Sequence, residues 1–146
     1  MKPDAPAPEP TGTFDPDGRL RRAPVQVRPS ERGGRGVFAM KPIRSGALIE
    51  ECPIVVIAAH VPELDDYAVR WDDHGENGAH DDGTLALALG YGAVYNHSDE
   101  PNAYWETERS RSLLIVWAAR DIAADEEIVI SYGPKWFPER GLVPRP

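Results

Sequence analysis

Apolar residues occur along this chain in short runs that are separated by turn residues. Alternating or continuous apolar patterns predict strands at residues 25–28, 37–39, 47–57, 103–107, 112–119 and 127–133. Glycine, proline, aspartate and asparagine lie between these runs, as is typical of turns. A short helix is predicted at residues 62–71, because proline favours the first helical position. Many short strands with few helical patterns indicate a mainly β domain.

A polar turn interrupts this pattern at residues 95–102, directly after an apolar segment at 85–94. Its sequence is Tyr95-Asn96-His97-Ser98-Asp99-Glu100-Pro101-Asn102. Proline lacks an amide donor, and the short polar side chains compete for backbone hydrogen bonds, so neither a helix nor a central strand is expected. A polar turn on buried structure is a common position for reactive side chains, and a capped surface loop is the simpler alternative.

The length of 146 residues fits one domain with a single core. Five prolines and few aliphatic residues predict a disordered tail at residues 1–23, which leaves a domain at 24–133 and a short C-terminal tail at 134–146. The single cysteine, Cys52, excludes an internal disulfide and a cysteine-built zinc site. No run has the length of a signal-peptide core or a membrane span, so we expect a cytoplasmic protein.

The charge of the chain limits the classes of molecule that it is expected to bind. The chain has 16 basic and 24 acidic residues, and its net charge of −8 argues against direct contact with nucleic acid. A segment at about 60–83 holds eight of the acidic residues and one arginine, and it could attract a basic peptide or simply keep the protein soluble. His60, His74 and His80 lie in or beside this segment, but their spacing fits no strong ligand signature, so no metal is expected.

Three separated segments together resemble the SET domain of protein lysine methyltransferases. They are Gly34-Arg35-Gly36-Val37-Phe38-Ala39 with the strand at 43–49, Tyr95-Asn96-His97-Ser98 with Pro101-Asn102, and Asp121-Ile122 with the run at 126–133. The resemblance covers residues 24–133. It implies a mainly β, β-clip-type fold of several short sheets with few short helices, and a C-terminal pseudoknot in which the last motif threads beneath the middle one.

The resemblance also implies a cofactor, S-adenosylmethionine, and a catalytic tyrosine, Tyr132. The expected cofactor-binding residues are Gly34, Arg35, Gly36, Tyr95, Asn96, His97 and Trp136. The expected substrate-binding residues are Tyr91, Tyr104, Trp105, Ile130 and Phe137. Without the resemblance, the glycines would indicate a tight turn, His97 a structural histidine, and Tyr132 a tyrosine at the edge of the core. Glu126 and Glu127 resemble an acid-base pair, but the resemblance gives them structural roles.

Two functions stay open at this stage. The first is methyl transfer from S-adenosylmethionine to a lysine of a basic protein, such as a histone, a histone-like protein or a ribosomal protein. The second is an inactive SET-like module that binds basic peptides, because the chain has no cysteine after Cys52 to form the zinc-bound lid of many relatives. The number of methyl groups added cannot be deduced from Ile130. A minimal domain could also cover its site as a homodimer, and no membrane partner is expected.

Overall fold

The computed structural model describes residues 20–58, 61–71, 84–134, 136–139 and 141–143. The described residues form nine short strands, two 3-10 helices and one short α-helix. The strands are β1 (Val25–Pro29), β2 (Arg35–Ala39), β3 (Leu48–Ile57), β4 (Ala68–Arg70), β5 (Leu85–Ala88), β6 (Asn96–His97), β7 (Ala103–Glu108), β8 (Leu113–Ala118) and β9 (Glu127–Ile130). The 3-10 helices span Pro62–Leu64 and Arg109–Arg111, and helix α1 spans Trp136–Glu139. The predicted mainly β architecture is confirmed.

A five-stranded antiparallel sheet supplies most of the core. Its strand order is β4-β5-β3-β8-β7, and the ten-residue β3 pairs with β5 along one half and with β8 along the other. All six residues of β8 are buried, which explains why its sequence is apolar at every position instead of alternating. One face of β8 contributes Leu114 and Val116 to the main core, while Leu113, Ile115 and Trp117 form a second cluster on the other face.

A four-stranded sheet brings the polar turn to the end of the chain. Its order is β1-β2-β9-β6, and β6 runs parallel to β9. Asn96 pairs with Val129 and His97 with Ile130, and the amide of Ser98 donates to the Ile130 carbonyl at 3.0 Å. The last motif therefore lies between β2 and the middle motif, as the expected pseudoknot requires.

The prediction of a helix at 62–71 was wrong. Only Pro62–Leu64 turn as a 3-10 helix, and β4 follows because Ala68, Val69 and Arg70 pair with β5. Pairing with a neighbouring strand has overridden a weak local preference.

The residues just before the predicted boundary at residue 24 contact strand β3. Arg21 and Arg22 pair with Glu51 and Glu50 of β3, and the amide of Ala23 donates to the Ile49 carbonyl at 2.7 Å. These contacts supply the cationic partners that two buried carboxylates need. The rest of the predicted tail, residues 1–19, and the acidic segment at 60 and 72–83 lie outside the described residues.

Across the described part of the chain, no helix has the length and hydropathy of a membrane-spanning segment.

Candidate active site

A cleft of about 370 Å³ lies where the polar turn meets the C-terminal end of the described chain. Three segments line it: the turn before β2, strand β6, and the residues after β9. The lining residues are Arg32, Gly33, Asn96, His97, Tyr132, Trp136, Phe137, Leu142 and Val143. Five of these nine were predicted from the sequence, in separate parts of the chain. The fold thus brings together Asn96, His97, Tyr132, Trp136 and Phe137.

The imidazole of His97 connects β6 to the last motif. The side chain is buried, and its Nδ1 accepts a hydrogen bond from the Tyr132 amide at 3.0 Å. An Nδ1 that accepts carries no proton, so the neutral ring holds its proton on Nε2, which donates to Asp99 at 2.9 Å. This tautomer is assigned from the two partners. It fixes the backbone of Tyr132 against the polar turn.

Asn96 is held by the neighbouring strands of the same sheet. Its side-chain amide donates to the Arg35 carbonyl at 3.0 Å and to the Glu127 carboxylate at 2.8 Å. Glu127 also accepts from the Ser30 hydroxyl at 2.9 Å. These bonds connect β6 to β9, to β2 and to the turn before β2, and they hold Asn96 at the cleft.

The two glycines of the first motif serve different purposes. A Cβ on Gly36 would lie 2.1 Å from Oε1 of Glu127, so this glycine is required by the close approach of that carboxylate. We expected the space at Gly36 to admit a cofactor, but the Glu127 side chain occupies it. Gly34 has a φ of +58°, and a Cβ added there would meet nothing within 4 Å, so this glycine serves the turn. Of the glycines in this turn, Gly33 lines the cleft.

Tyr132 lines the cleft beside His97. Its hydroxyl donates to the Tyr95 carbonyl at 2.6 Å, and its ring centroid lies 5.3 Å from that of His97. Burial of the ring, together with the negative charge of Glu127, raises the pKa of Tyr132 to about 12. The phenol is therefore protonated at neutral pH and acts as a hydrogen-bond donor.

Aromatic rings from α1 cover one side of Tyr132. The Trp136 ring lies 4.9 Å from the Tyr132 ring, and the Phe137 ring lies 4.7 Å from His97. After α1 the chain turns back, because Gly141 has a φ of +64° and the amide of Leu142 donates to the Phe137 carbonyl. This turn places the exposed side chains of Leu142 and Val143 at the cleft.

Residues 34–133 match the SET domain family model. The chain belongs to the SET domain family. It is 34% identical over 124 residues to a histone-lysine N-methyltransferase of Schizosaccharomyces pombe described as H3 lysine-37 specific, covering 80% of this chain and 78% of that protein. It is 38% identical to a proposed histone methyltransferase of Plasmodium falciparum, whose crystal structure superposes with a TM-score of 0.63 and covers 80% of this chain and 98% of that one. The predicted enzyme class, a protein-lysine methyltransferase, is confirmed with the family.

Several residues that we predicted for the site of this SET domain have side chains elsewhere. Tyr95 is buried and its hydroxyl donates to Glu50 at 2.7 Å, so only its carbonyl reaches Tyr132. The ring of Tyr91 lies beneath the guanidinium of Arg22, 3.9 Å from ring centroid to Cζ. Arg35 is exposed, and its carbonyl rather than its side chain bonds Asn96.

The three remaining substrate candidates lie on or near the core. Tyr104 packs against the second apolar cluster on one face of the five-stranded sheet, whereas Trp105 packs against the main core on the opposite face. Neighbouring residues of β7 point to opposite sides, so the two cannot line one channel together. Ile130 is buried at the end of β9. Their roles toward the substrate stay predictions.

Two polar residues, Asn102 and Arg32, connect the elements around the cleft, although the sequence did not predict them as site residues. Asn102 is 1% exposed, its side chain accepts from the Val129 amide at 2.9 Å, and it donates to the Glu127 carbonyl at 2.8 Å. The guanidinium of Arg32 donates to the His97 carbonyl at 3.4 Å and lies 3.6 Å from Glu127. Asn102 belongs to the middle SET motif, but no sequence signal distinguishes Arg32 from the other arginines.

The contacts of Glu126, like those of Glu127 described above, suit a structural role. Glu126 pairs with Arg120 at 2.6 Å and accepts from the amide of Ala123, and the Arg120 hydrogen bond lowers the pKa of Glu126.

Within the described ranges, no group of three or more histidine, cysteine or acidic residues could hold a metal. His60, His74 and His80 lie outside those ranges.

Proposed function

We propose that this SET domain transfers a methyl group from S-adenosylmethionine to a lysine side chain of a basic protein. The observation that carries the proposal is the cleft in which Asn96, His97 and Tyr132 meet the rings of Trp136 and Phe137. The side-chain amide of Asn96, the guanidinium of Arg32 and the aromatic rings of the same cleft suit a ligand that has an amino-acid end and an adenine ring.

The residues present fit S-adenosylmethionine. Arg32 has a half-buried guanidinium that can pair with a carboxylate, and its bond to the His97 carbonyl keeps it at the cleft. His97, Trp136 and Phe137 offer ring faces for an adenine. When bound, S-adenosylmethionine supplies a methyl group on a sulfonium, an electrophile that needs no further activation.

Tyr132 contributes as an orienting group and not as a base. With a pKa raised to about 12, its phenol keeps its proton and donates a hydrogen bond to the Tyr95 carbonyl. The phenol oxygen then has its lone pairs available for an N–H of a neutral amine. Lysine is protonated in water at neutral pH, so the enclosed surroundings of Tyr132 must favour the neutral amine by desolvation.

A basic protein is the substrate that the charge of the chain favours. The net charge of −8 attracts a cationic chain and raises its encounter rate at low salt. The Schizosaccharomyces pombe relative is described as specific for lysine 37 of H3. Histones are therefore the first substrates to test, ahead of histone-like and ribosomal proteins.

The test combines cofactor binding with product detection. Calorimetric titration with S-adenosylmethionine is followed by mass spectrometry of core histones and a pool of basic peptides incubated with both components. We expect saturable binding and a mass gain of one or more methyl groups on lysine. Absence of both binding and methylation would contradict the proposal, whereas binding of basic peptides without methylation would favour the inactive-module alternative.

The role of the cleft is tested by Asn96→Ala. Loss of the amide removes its bonds to Arg35 and Glu127, so we expect weaker binding of S-adenosylmethionine with the fold retained. Thr107→Ala, a substitution in β7 away from the cleft, is the matched control. Equal affinity for the cofactor in the two variants would show that Asn96 does not contribute to cofactor binding.

A further inference from the structure

Two adjacent carboxylates are buried on β3. Glu50 is 0% exposed and Glu51 is 2% exposed. A buried carboxylate is costly unless it is paired and hydrogen-bonded, so each must have partners. The cleft described above uses neither of them directly, and they point to opposite faces of the strand.

Glu50 holds the loop that leads from β5 into β6. One carboxylate oxygen, Oε2, accepts from Arg22 at 2.8 Å and from the amide of Tyr91 at 3.0 Å. The other oxygen, Oε1, accepts from the Tyr95 hydroxyl at 2.7 Å. The loop can approach this closely because residue 90 is glycine: a Cβ there would lie 2.5 Å from Oε2.

Tyr95 connects this carboxylate to the cleft. Its side chain donates to Glu50, while its backbone carbonyl accepts from the Tyr132 hydroxyl at 2.6 Å. The two groups belong to one residue, so a side chain held at Glu50 also restricts where the carbonyl can point. Glu50, Tyr95 and Tyr132 therefore form one continuous hydrogen-bonded chain, with Arg22 at its outer end.

We propose that Glu50 is a positioning residue for methyl transfer, which fixes Tyr95 so that its carbonyl orients the Tyr132 hydroxyl. The inference rests on the proposed role of Tyr132 in the reaction. Glu50 touches neither the cleft nor a reacting atom, and it acts only through Tyr95.

Glu51 provides the matched control. It lies next to Glu50, is almost equally buried, and pairs with Arg21, the neighbour of Arg22, at 3.2 Å. Its hydrogen bonds go to Arg21 and not to the loop at 90–95. Substitution of Glu51 should therefore cost stability in a similar way without disturbing Tyr132.

Glu50→Gln weakens the connection with little change of volume. Arg22 and the Tyr91 amide are both donors and retain the amide oxygen, so the amide NH₂ faces the Tyr95 oxygen. The Tyr95 hydroxyl then loses the acceptor of its proton and can only accept a hydrogen bond from an uncharged donor. Tyr95→Phe removes the same bond from the other side and is the second variant. In both we expect kcat to fall about tenfold, the equivalent of one lost buried hydrogen bond, with the affinity for S-adenosylmethionine little changed.

The kinetic comparison is made on folded variants below their melting temperatures. Glu51→Gln should retain the wild-type kcat even when its thermal stability falls as far as that of Glu50→Gln. An equal loss of kcat in Glu50→Gln and Glu51→Gln would show that the effect is general destabilisation and would overturn the inference. A kcat that is unchanged in both Glu50→Gln and Tyr95→Phe would overturn it as well.

A second readout does not depend on activity. The protein is labelled with ¹³C at the tyrosine ring, Tyr132 is assigned by its loss in Tyr132→Phe, and its resonance is followed as the pH rises. In Glu50→Gln the loosened Tyr132 should titrate at a lower pH than in the wild type, and in Glu51→Gln at the same pH. Identical titration of Tyr132 in all three proteins would contradict the proposed link.

The experiments distinguish a failure of the proposed role of Tyr132 from a failure of the proposed role of Glu50. If Tyr132→Phe keeps the wild-type kcat, the proposed role of Tyr132 in catalysis is wrong, whatever the resonance does. If Tyr132→Phe is impaired while Glu50→Gln behaves like Glu51→Gln in both readouts, only the positioning role of Glu50 is wrong.

Discussion

The two sheets of this SET domain are built by different means. The five-stranded sheet has long antiparallel registers and one strand, β8, whose residues are all buried, so apolar packing holds it together. In the four-stranded sheet β6 has two residues, and β2 and β9 share two paired positions. There, the side chains of Asn96 and Asn102 bond the backbone of β2 and β9, and the side chain of His97 bonds the Tyr132 amide after β9.

The difference separates stability from chemistry. The five-stranded sheet contributes all six side chains of β8 to the two apolar clusters, and the four-stranded sheet carries the polar walls of the cleft. Substitutions in the first should mainly change the free energy of unfolding, and substitutions in the second should mainly change cofactor binding and turnover.

The largest expected effect is that of Tyr132→Phe at the cleft. Loss of the hydroxyl that we propose to orient the reacting amine should lower kcat by about 100-fold with little change in the affinity for S-adenosylmethionine. Tyr67→Phe is the matched substitution beside β4 of the five-stranded sheet, and Tyr67 is 53% exposed. Steady-state kinetics should show the fall in Tyr132→Phe alone, and a comparable fall in Tyr67→Phe would break the separation of the two sheets.

The next effect is a loss of stability in Leu114→Ala on β8. Leu114 is 3% exposed in the main core, so its truncation should lower the free energy of unfolding by about 3 kcal/mol. Chemical denaturation measures this loss. Calorimetry at a temperature where the variant is folded should give the wild-type affinity for S-adenosylmethionine, and a large loss of affinity would show that the core also shapes the cleft.

Gly36→Ala should have a smaller effect on stability and a distinct effect on the cofactor. The new methyl group displaces the Glu127 carboxylate, which breaks its bonds to Ser30 and Asn96 and costs about 1–3 kcal/mol. We also expect weaker binding of S-adenosylmethionine, because Asn96 loses a partner. Gly34→Ala meets no neighbour, and its left-handed φ should cost only about 1 kcal/mol. A greater loss of stability in Gly34→Ala would contradict the roles assigned to the two glycines.

The smallest effect concerns pH. The hydrogen bond from Arg120 lowers the pKa of Glu126 below its ordinary value of 4.5. Because the folded-state pKa is depressed, the pair stabilises the protein above pH 4.5, and this contribution is lost as the pH falls through the folded-state value. It should stay below about 1 kcal/mol, since Arg120 is largely exposed. Denaturation at pH 7 and pH 3 should show a slightly weaker acid dependence in Glu126→Gln than in the exposed-site control Glu63→Gln, and identical profiles would contradict the assignment.

The sequence predicts the five-stranded sheet better than the site. Apolar runs place β3, β7 and β8 correctly, because each is long enough for its burial to appear as a pattern. The two residues of β6 carry no periodicity, and their pairing with β9 followed only from the resemblance to SET domains. Periodicity also could not tell that residues 68–70 pair with β5 in place of forming a helix.

The sequence predicted those residues of the candidate site that belong to the SET motifs. It did not predict the residues that only the fold brings to the cleft. Asn96, His97 and Tyr132 lie in the SET motifs and meet at the cleft. Arg32 reaches the cleft because the turn before β2 passes the His97 carbonyl, a long-range contact that no local pattern encodes. The burial of the Tyr95 side chain depends in the same way on Glu50, 45 residues earlier in the chain.

Hydrogen exchange with and without saturating S-adenosylmethionine tests the central claim most directly, since it locates the bound cofactor without requiring a known protein substrate. Peptides that contain Arg32 and Gly33, Asn96 and His97, or Tyr132 and Phe137 should exchange more slowly when the cofactor is bound. Peptides from β7 and β8 should be unchanged. Protection confined to β7 and β8, or no protection at the cleft at a saturating concentration, would contradict the assignment of the site to the four-stranded sheet.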